Sequence, residues 1–205
     1  MLKKDIRFAS LAGWSGIASP LISLSMIFHA VAISPWFDWH RNALSDLGVT
    51  GDTVWFNSGT LLGGLLTLVL ILGLMRQVRL GRIGQVGYAF TLFGAVGLAL
   101  VGVFPKDHGA IHFAVALTYF LATPLGYCLL GVALLQAGHP LSGALTESAG
   151  LAAVLLITRV PHDGYAVPEM LASVVMSGWV FAMGMTLLTS WTRGAHATVS
   201  QSSMT

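Results

Sequence analysis

The chain has 205 residues, of which 55% are hydrophobic and only 9% are Asp, Glu, Lys or Arg, where a water-soluble domain carries roughly 25% charged residues. With a mean hydropathy of +0.79, this excludes an ordinary soluble enzyme, a disordered chain and a nucleic-acid binder, and leaves a polytopic membrane protein. The net charge of +2 says little by itself; the placement of so few charges says more, because each must sit where water or a partner can solvate it.

Crossing a hydrocarbon core of about 30 Å takes roughly 20 mostly apolar residues in a helix. The stretches 8–37, 53–75, 83–105 and 170–192 are free of acids and of Lys or Arg, and each is long enough for one span. A fifth, 109–146, is too long for one helix and is divided by Ala137-Gly138-His139-Pro140, a turn signal. Beyond it, 141–160 is a sixth apolar run interrupted by Glu147, with Arg159 at its end. The predicted helices are about 9–33, 55–76, 84–104, 110–136, 142–160 and 168–191, followed by a flexible cytoplasmic tail, 192–205. The expected fold is all-α: one bundle of six transmembrane helices with short loops, a single domain over 1–205. The lone Cys128 inside an apolar run rules out an internal disulfide.

The basic start could open a signal peptide, but the apolar run after it outlasts a typical h-region and lacks a clear cleavage site, so a retained first helix is expected. Lys and Arg bias in short loops sets orientation. Lys3, Lys4, Arg7, Arg76, Arg79, Arg82 and Arg193 fall on the side of the termini, against Arg41, Lys106 and Arg159 on the other, which places both termini in the cytoplasm. Acids contribute little to topology. Yet Asp38, Asp46, Asp52, Asp107, Asp163 and Glu169, with His40, His108, His112 and His162, all fall on the outer side. That asymmetry marks the outer face as the place for a site.

The first outer loop holds Trp36 and Trp39, with Trp55 just beyond, rings that settle at a membrane interface. Ser45 or Asp46 can cap a short helix there, and the loop is either an interfacial loop pinned by local hydrogen bonds or part of a polar site with Arg41 or His40 as neighbour. In the second loop, Pro105 ends helix 3 and Asp107 is a plausible N-cap of helix 4. His108 and His112 stand four apart, on one helical face if the helix has begun, and such a pair can serve a divalent metal such as zinc with a further ligand from another loop. In the third loop Pro168 suits the first helical position and Glu169 the first turn. His162-Asp163 echoes Asp107-His108 in reverse order, as an internal repeat or as short Pro/Gly turns do.

Converging at one end of the bundle, Asp46, Asp107, His108, His112, His162 and Asp163 have the parts for acid–base chemistry. Arg41, Lys106 and Arg159 can hold a phosphate or lipid head group, with Asn42, Ser45 and Glu169 completing a binding set. The plainer alternative is that these charges pair with one another to let the loops pack. Within the spans, His29 either reaches this cluster or bonds a neighbouring helix, and Glu147 sits near the inner start of helix 5, where an acid costs less than at the bilayer centre. Glycines in helices 2 and 3 suit close helix contact. No P-loop, dinucleotide fingerprint, zincin motif or nucleophile elbow occurs.

The box Arg41-Asn42-Ala43-Leu44-Ser45-Asp46-Leu47-Gly48, the segment Phe104-Pro105-Lys106-Asp107 followed by His112, and the stretch 164–169 resemble the prokaryotic membrane family labelled domain of unknown function 998. The resemblance covers nearly the whole chain. It implies six helices in a prokaryotic plasma membrane, and matches at Asn42, Ser45, Asp46, Phe104, Pro105, Asp107, His112 and Glu169. It departs after Glu169, where Met170-Leu171 replaces an expected basic residue. The Ser-Asp element is also similar to one in six-helix autophagy modulators and GPI-anchor lipid-remodelling factors, which implies membrane lipid as partner or substrate. The sequence therefore points to an outer polar pocket that binds or hydrolytically processes an amphipath. The alternative is a non-catalytic transporter, sensor or scaffold, and transport is disfavoured because the chain is read as poor in polar groups near mid-membrane.

Overall fold

The computed structural model describes residues 2–202, with side chains described for 7–189. Among the described residues the chain is all-helical: α1 (Leu2–Ala32), α2 (Val54–Gln77), α3 (Arg82–Val103), α4 (Ala110–Gln136), α5 (Pro140–Arg159) and α6 (Ala166–Ser202). Each contains a segment long and apolar enough to cross a membrane, so this is a multi-pass membrane protein of six helices. The reason is elementary: lipid offers no hydrogen bonds, so an apolar segment must satisfy its backbone internally, as a helix does. Bulky apolar side chains such as Phe93, Phe113 and Leu141 accordingly lie exposed on the outside of the bundle.

The turns follow the punctuation in the sequence. Gly138, at φ +81°, adopts the left-handed conformation that ends α4, and Pro140 opens α5. Each helix packs on its neighbours in sequence, and α6 closes the ring against α1. With this alternating path, the loops after α1, α3 and α5 gather at one end, the polar end. The predicted close contacts are present: a Cβ added to Gly64 would strike the backbone of Ala99, and one added to Gly102 the backbone of Asn57, so α2 and α3 meet nearly backbone to backbone.

Two buried clusters divide the interior. The larger includes Leu70, Ile71, Tyr127, Leu130 and Met176 in mid-bundle. The smaller sits at the polar end and joins Ile27, Phe56, Val101 and Met170 to Leu44 and Leu47 from the first loop. These two leucines belong to a short 3-10 turn, Leu44–Gly48, and their burial seats that loop on the bundle end. A second 3-10 turn, Lys106–His108, lies between α3 and α4.

α1 begins at Leu2 rather than 9, α3 and α5 each begin two residues before the expected start, and three further features differ from expectation. α6 begins at Ala166 rather than 168, because Ala166 itself is held by the first loop and the Tyr165 carbonyl already accepts the Glu169 amide at 3.0 Å. Its backbone continues to Ser202 through the segment expected as a tail, which contains no proline to stop it; residues 203–205 lie outside the described residues. Asp107 is not the N-cap of α4. It lies inside the 3-10 turn, and Gly109 at φ +56° takes the boundary position.

Candidate functional site

The first loop folds on Asn42 and Asp46. The Asp38 amide donates to Asn42 Oδ1 at 2.8 Å, while Asn42 Nδ2 and the Ala43 amide donate to Asp46 Oδ2 at 3.3 and 2.9 Å. The other Asp46 oxygen accepts Lys106 Nζ from the second loop. Partial burial pushes the Asp46 pKa up, but the hydrogen bonds from Lys106, Ala43 and Asn42 and the Lys106 charge outweigh it. The carboxyl is held below its ordinary value of 3.8.

The third loop docks on the first through backbone alone. Gly164 donates its amide to the His40 carbonyl, and Ala166 to the Asn42 carbonyl at 2.8 Å. Gly164 lies flat on Arg41 and Asn42, where a Cβ would overlap the Arg41 carbonyl carbon. This docking carries the first turn of α6 under the loop, so that the Leu44 amide donates to Glu169 Oε2 at 2.8 Å. The consecutive amides of Ala43 and Leu44, which open the 3-10 turn and have no partner within it, are thus met by two carboxylates, one local and one 125 positions away.

His112 is buried in the first turns of α4, and its Nδ1 lies 2.8 Å from the Phe104 carbonyl. A carbonyl only accepts, so Nδ1 carries the proton, and in the neutral ring Nε2 is left with a free lone pair. His112, Ser45 and Glu169 together line two cavities. One is interior, about 50 Å3, and reaches Thr60, Tyr119 and Ser173. The other is a groove of about 540 Å3 that has Lys106, Ser45, His112, Glu169 and Tyr165 at its polar part and Phe113, Leu117, Phe120 and Ile157 along its apolar part.

Of the residues expected from sequence, the structure gathers Asn42, Ser45, Asp46, Lys106, His112 and Glu169. The rest lie apart. Arg41 is 85% exposed and only 3.8 Å from Asp38, and Arg159 is exposed at the end of α5. His162 and Asp163 are exposed, with the His162 ring 4.4 Å from that of Tyr165. Asp107 and His108 pair with each other at 3.1 Å on the surface. His108 and His112 do not share a helical face, since Gly109 turns the chain and α4 begins only at Ala110. Among the described residues no group of three or more His, Cys, Asp or Glu is arranged to hold a metal ion. His29 packs edge-on against Trp55 of α2, ring centres 4.4 Å apart, rather than joining the pocket. Sequence reasoning missed Gly164, Tyr165 and the apolar wall of α4 and Ile157; the hint for the first two was their place in the stretch 164–169 already singled out, shortly before Pro168-Glu169.

What fold and site define is a six-helix integral membrane protein with a partly buried polar cluster at its loop end and a groove leading from it along α4. The chain belongs to the family described as Protein of unknown function (DUF998), whose sequence model matches residues 17–186. No curated protein matches it, and no solved structure does.

Proposed function

We propose that this protein binds an amphipathic lipid at the outer end of the bundle, the side to which the Lys and Arg distribution assigns the polar loops. The observation that carries the reading is the groove of about 540 Å3, polar at one part and apolar along the rest. Lys106 is its cation, so the head group is an anion such as a phosphate. An acyl chain lies along Phe113, Leu117, Phe120 and Ile157. Phe113 and Leu117 are exposed on the outside of the helix bundle, which leaves the groove open sideways to lipid.

A second reading, acid–base processing of the bound head group, is favoured by one observation. The Phe104 carbonyl fixes the His112 tautomer, leaving Nε2 as an acceptor beside Ser45 and Glu169 in the wall of both cavities. In this reading His112 takes a proton from water or from Ser45, and Lys106 offsets negative charge that develops on the head group. Asp46 positions Lys106 and is not itself the base. Asp107, His108, His162 and Asp163 have no part in it.

The experiment is native mass spectrometry of the purified protein titrated with phosphatidylglycerol and, separately, phosphatidylcholine. Retention of the anionic lipid is expected, with loss in Lys106→Gln and in Leu117→Trp, which fills the groove. No retained lipid, or unchanged retention in both variants, overturns the binding reading. Incubation with the same lipid tests the second: a product formed by the wild type and lost in His112→Ala, with lipid still retained, supports it, and no product from the wild type removes it.

A further inference from the structure

Between α1, α2, α3, α4 and α6 lies an interior cavity of about 40 Å3, in which nine of fifteen lining residues carry a hydroxyl and none a formal charge. The sequence hid it, because Ser and Thr pass unnoticed in an apolar run and these are spread over five helices. Most of its hydroxyls are engaged. Ser19 Oγ donates to the Gly63 carbonyl at 2.9 Å and lies 2.9 Å from Thr67 Oγ1, and Thr91 Oγ1 donates to the Gly87 carbonyl at 2.9 Å. Thr123 is the one whose oxygen is fully buried without a partner. It is 5% exposed, and its Oγ1 has no hydrogen-bond partner within the protein. It sits over Gly94, whose missing side chain leaves the room that Oγ1 occupies.

A buried hydroxyl without a partner is rare in a folded protein, and water is its usual complement. At about 10–15 Å3 for each water centre, the cavity has room for roughly three molecules. With no charged group in the wall, a bare ion there is disfavoured, and an apolar guest would leave Thr123 unpaired. The cavity is not isolated: it shares Ile27, Leu98, Tyr119 and Ser173 with the interior cavity of about 50 Å3 lined by His112 and Glu169.

We propose that this cavity is a water site, holding a short file of waters that hydrogen-bonds Thr123 and runs past Tyr119 and Ser173 to His112 and Glu169. The file hydrates the two side chains from inside the bundle and lets them exchange protons with interior water, whatever fills the groove above. It stands independently of the lipid reading, and its test uses no lipid ligand.

The test is pulsed X-ray hydroxyl-radical labelling of the whole protein in detergent, read by mass spectrometry, in which radicals formed from bound water mark the side chains beside it. Met176, 1% exposed, and Tyr119, 7% exposed, line the cavity, and exposed Tyr165 reports bulk water. Labelling of Met176 and Tyr119 is expected, falling severalfold in Thr123→Val, a variant of equal shape, while Tyr165 is unchanged. Met176 and Tyr119 unlabelled beside a labelled Tyr165 overturn the proposal, as does labelling that Thr123→Val leaves unaltered. Thermal unfolding of the variant guards against misfolding: a dry cavity predicts that Thr123→Val is more stable than the wild type, and that outcome also overturns the water site.

Discussion

Two sets of acids and histidines share the polar end, and they are built in opposite ways. The pairs adjacent in sequence, Asp107 with His108 and His162 with Asp163, lie exposed to solvent and touch only their immediate surroundings. The contacts that tie the end of the bundle together span 60 positions, from Asp46 to Lys106, and 125, from Leu44 to Glu169. Proximity along the chain made the first set conspicuous, whereas long-range closure gives the second its partners: Asp46 is 19% exposed while Lys106 stays 46% exposed, and Lys106 and Glu169 line the groove. An exposed pair gains little from its Coulomb attraction. A part-buried acceptor that alone satisfies a backbone amide cannot be lost so cheaply.

The largest effect expected at this end comes from a residue with no functional group. Gly164→Ala places a Cβ against the Arg41 carbonyl carbon, backbone that cannot move aside without lifting the third loop off the first. Overpacking of this kind costs about 1–3 kcal/mol or more, and it shifts Glu169 away from Leu44 at the same time. A fall in the thermal midpoint in detergent, with weaker lipid retention, is the expected result. A stability like that of the wild type would show that the loop docking is not rigid.

Glu169→Ala follows. It leaves the Leu44 amide without its acceptor, at a cost of about 1–3 kcal/mol, and Glu169→Gln, which keeps a carbonyl oxygen in reach, recovers part of that stability. Chemical denaturation of the two variants side by side checks the order. Equal losses would mean that the carboxylate charge, not the hydrogen bond, is what the Leu44 amide needs.

Asp46→Asn is smaller, about 1 kcal/mol, since the turn keeps a capping oxygen while the contact with Lys106 is weakened. It also carries a pH signature. The folded-state pKa of Asp46 lies below 3.8, so the unfolded chain binds the proton first as the pH falls. The contribution of Asp46 is therefore complete at neutral pH and is lost as the pH drops below the ordinary carboxylate value toward the lower, folded one. Thermal midpoints taken from about pH 6 down to about pH 3 are expected to decline less steeply in Asp46→Asn than in the wild type. Parallel curves would show that Asp46 titrates alike in both states.

The six spans were legible because helix length and apolar content are local properties, and so was the turn at Gly138 and Pro140. The first-loop box was legible too: Asn42, Ser45, Asp46, Lys106, His112 and Glu169 do meet. What the sequence could not convey is direction. The same spacing that allows His108 and His112 one helical face also allows a 3-10 turn and a left-handed Gly109 between them, and the structure has the latter. Arg41 and Arg159 carry the right charge but point to solvent, a matter of loop geometry that composition does not record. The groove wall from Phe113 to Ile157 was invisible because its residues are those of any membrane helix.

The smallest effect sharpens the comparison most. Asp107→Asn and His108→Ala remove one or the other half of a surface pair whose side chains are 70% and 45% exposed. Changes at such positions are expected to stay within about 0.5 kcal/mol, because water replaces either partner and no buried amide depends on them. Lipid retention should also be unaltered, since neither side chain lines the groove. The neighbouring Lys106→Gln, one residue away, removes the groove's cation and the Asp46 contact together. If Asp107→Asn weakened binding as much as Lys106→Gln, the head group would have to lie over the second loop rather than in the groove, and the division between the sequence-local pairs and the groove-lining residues would fail.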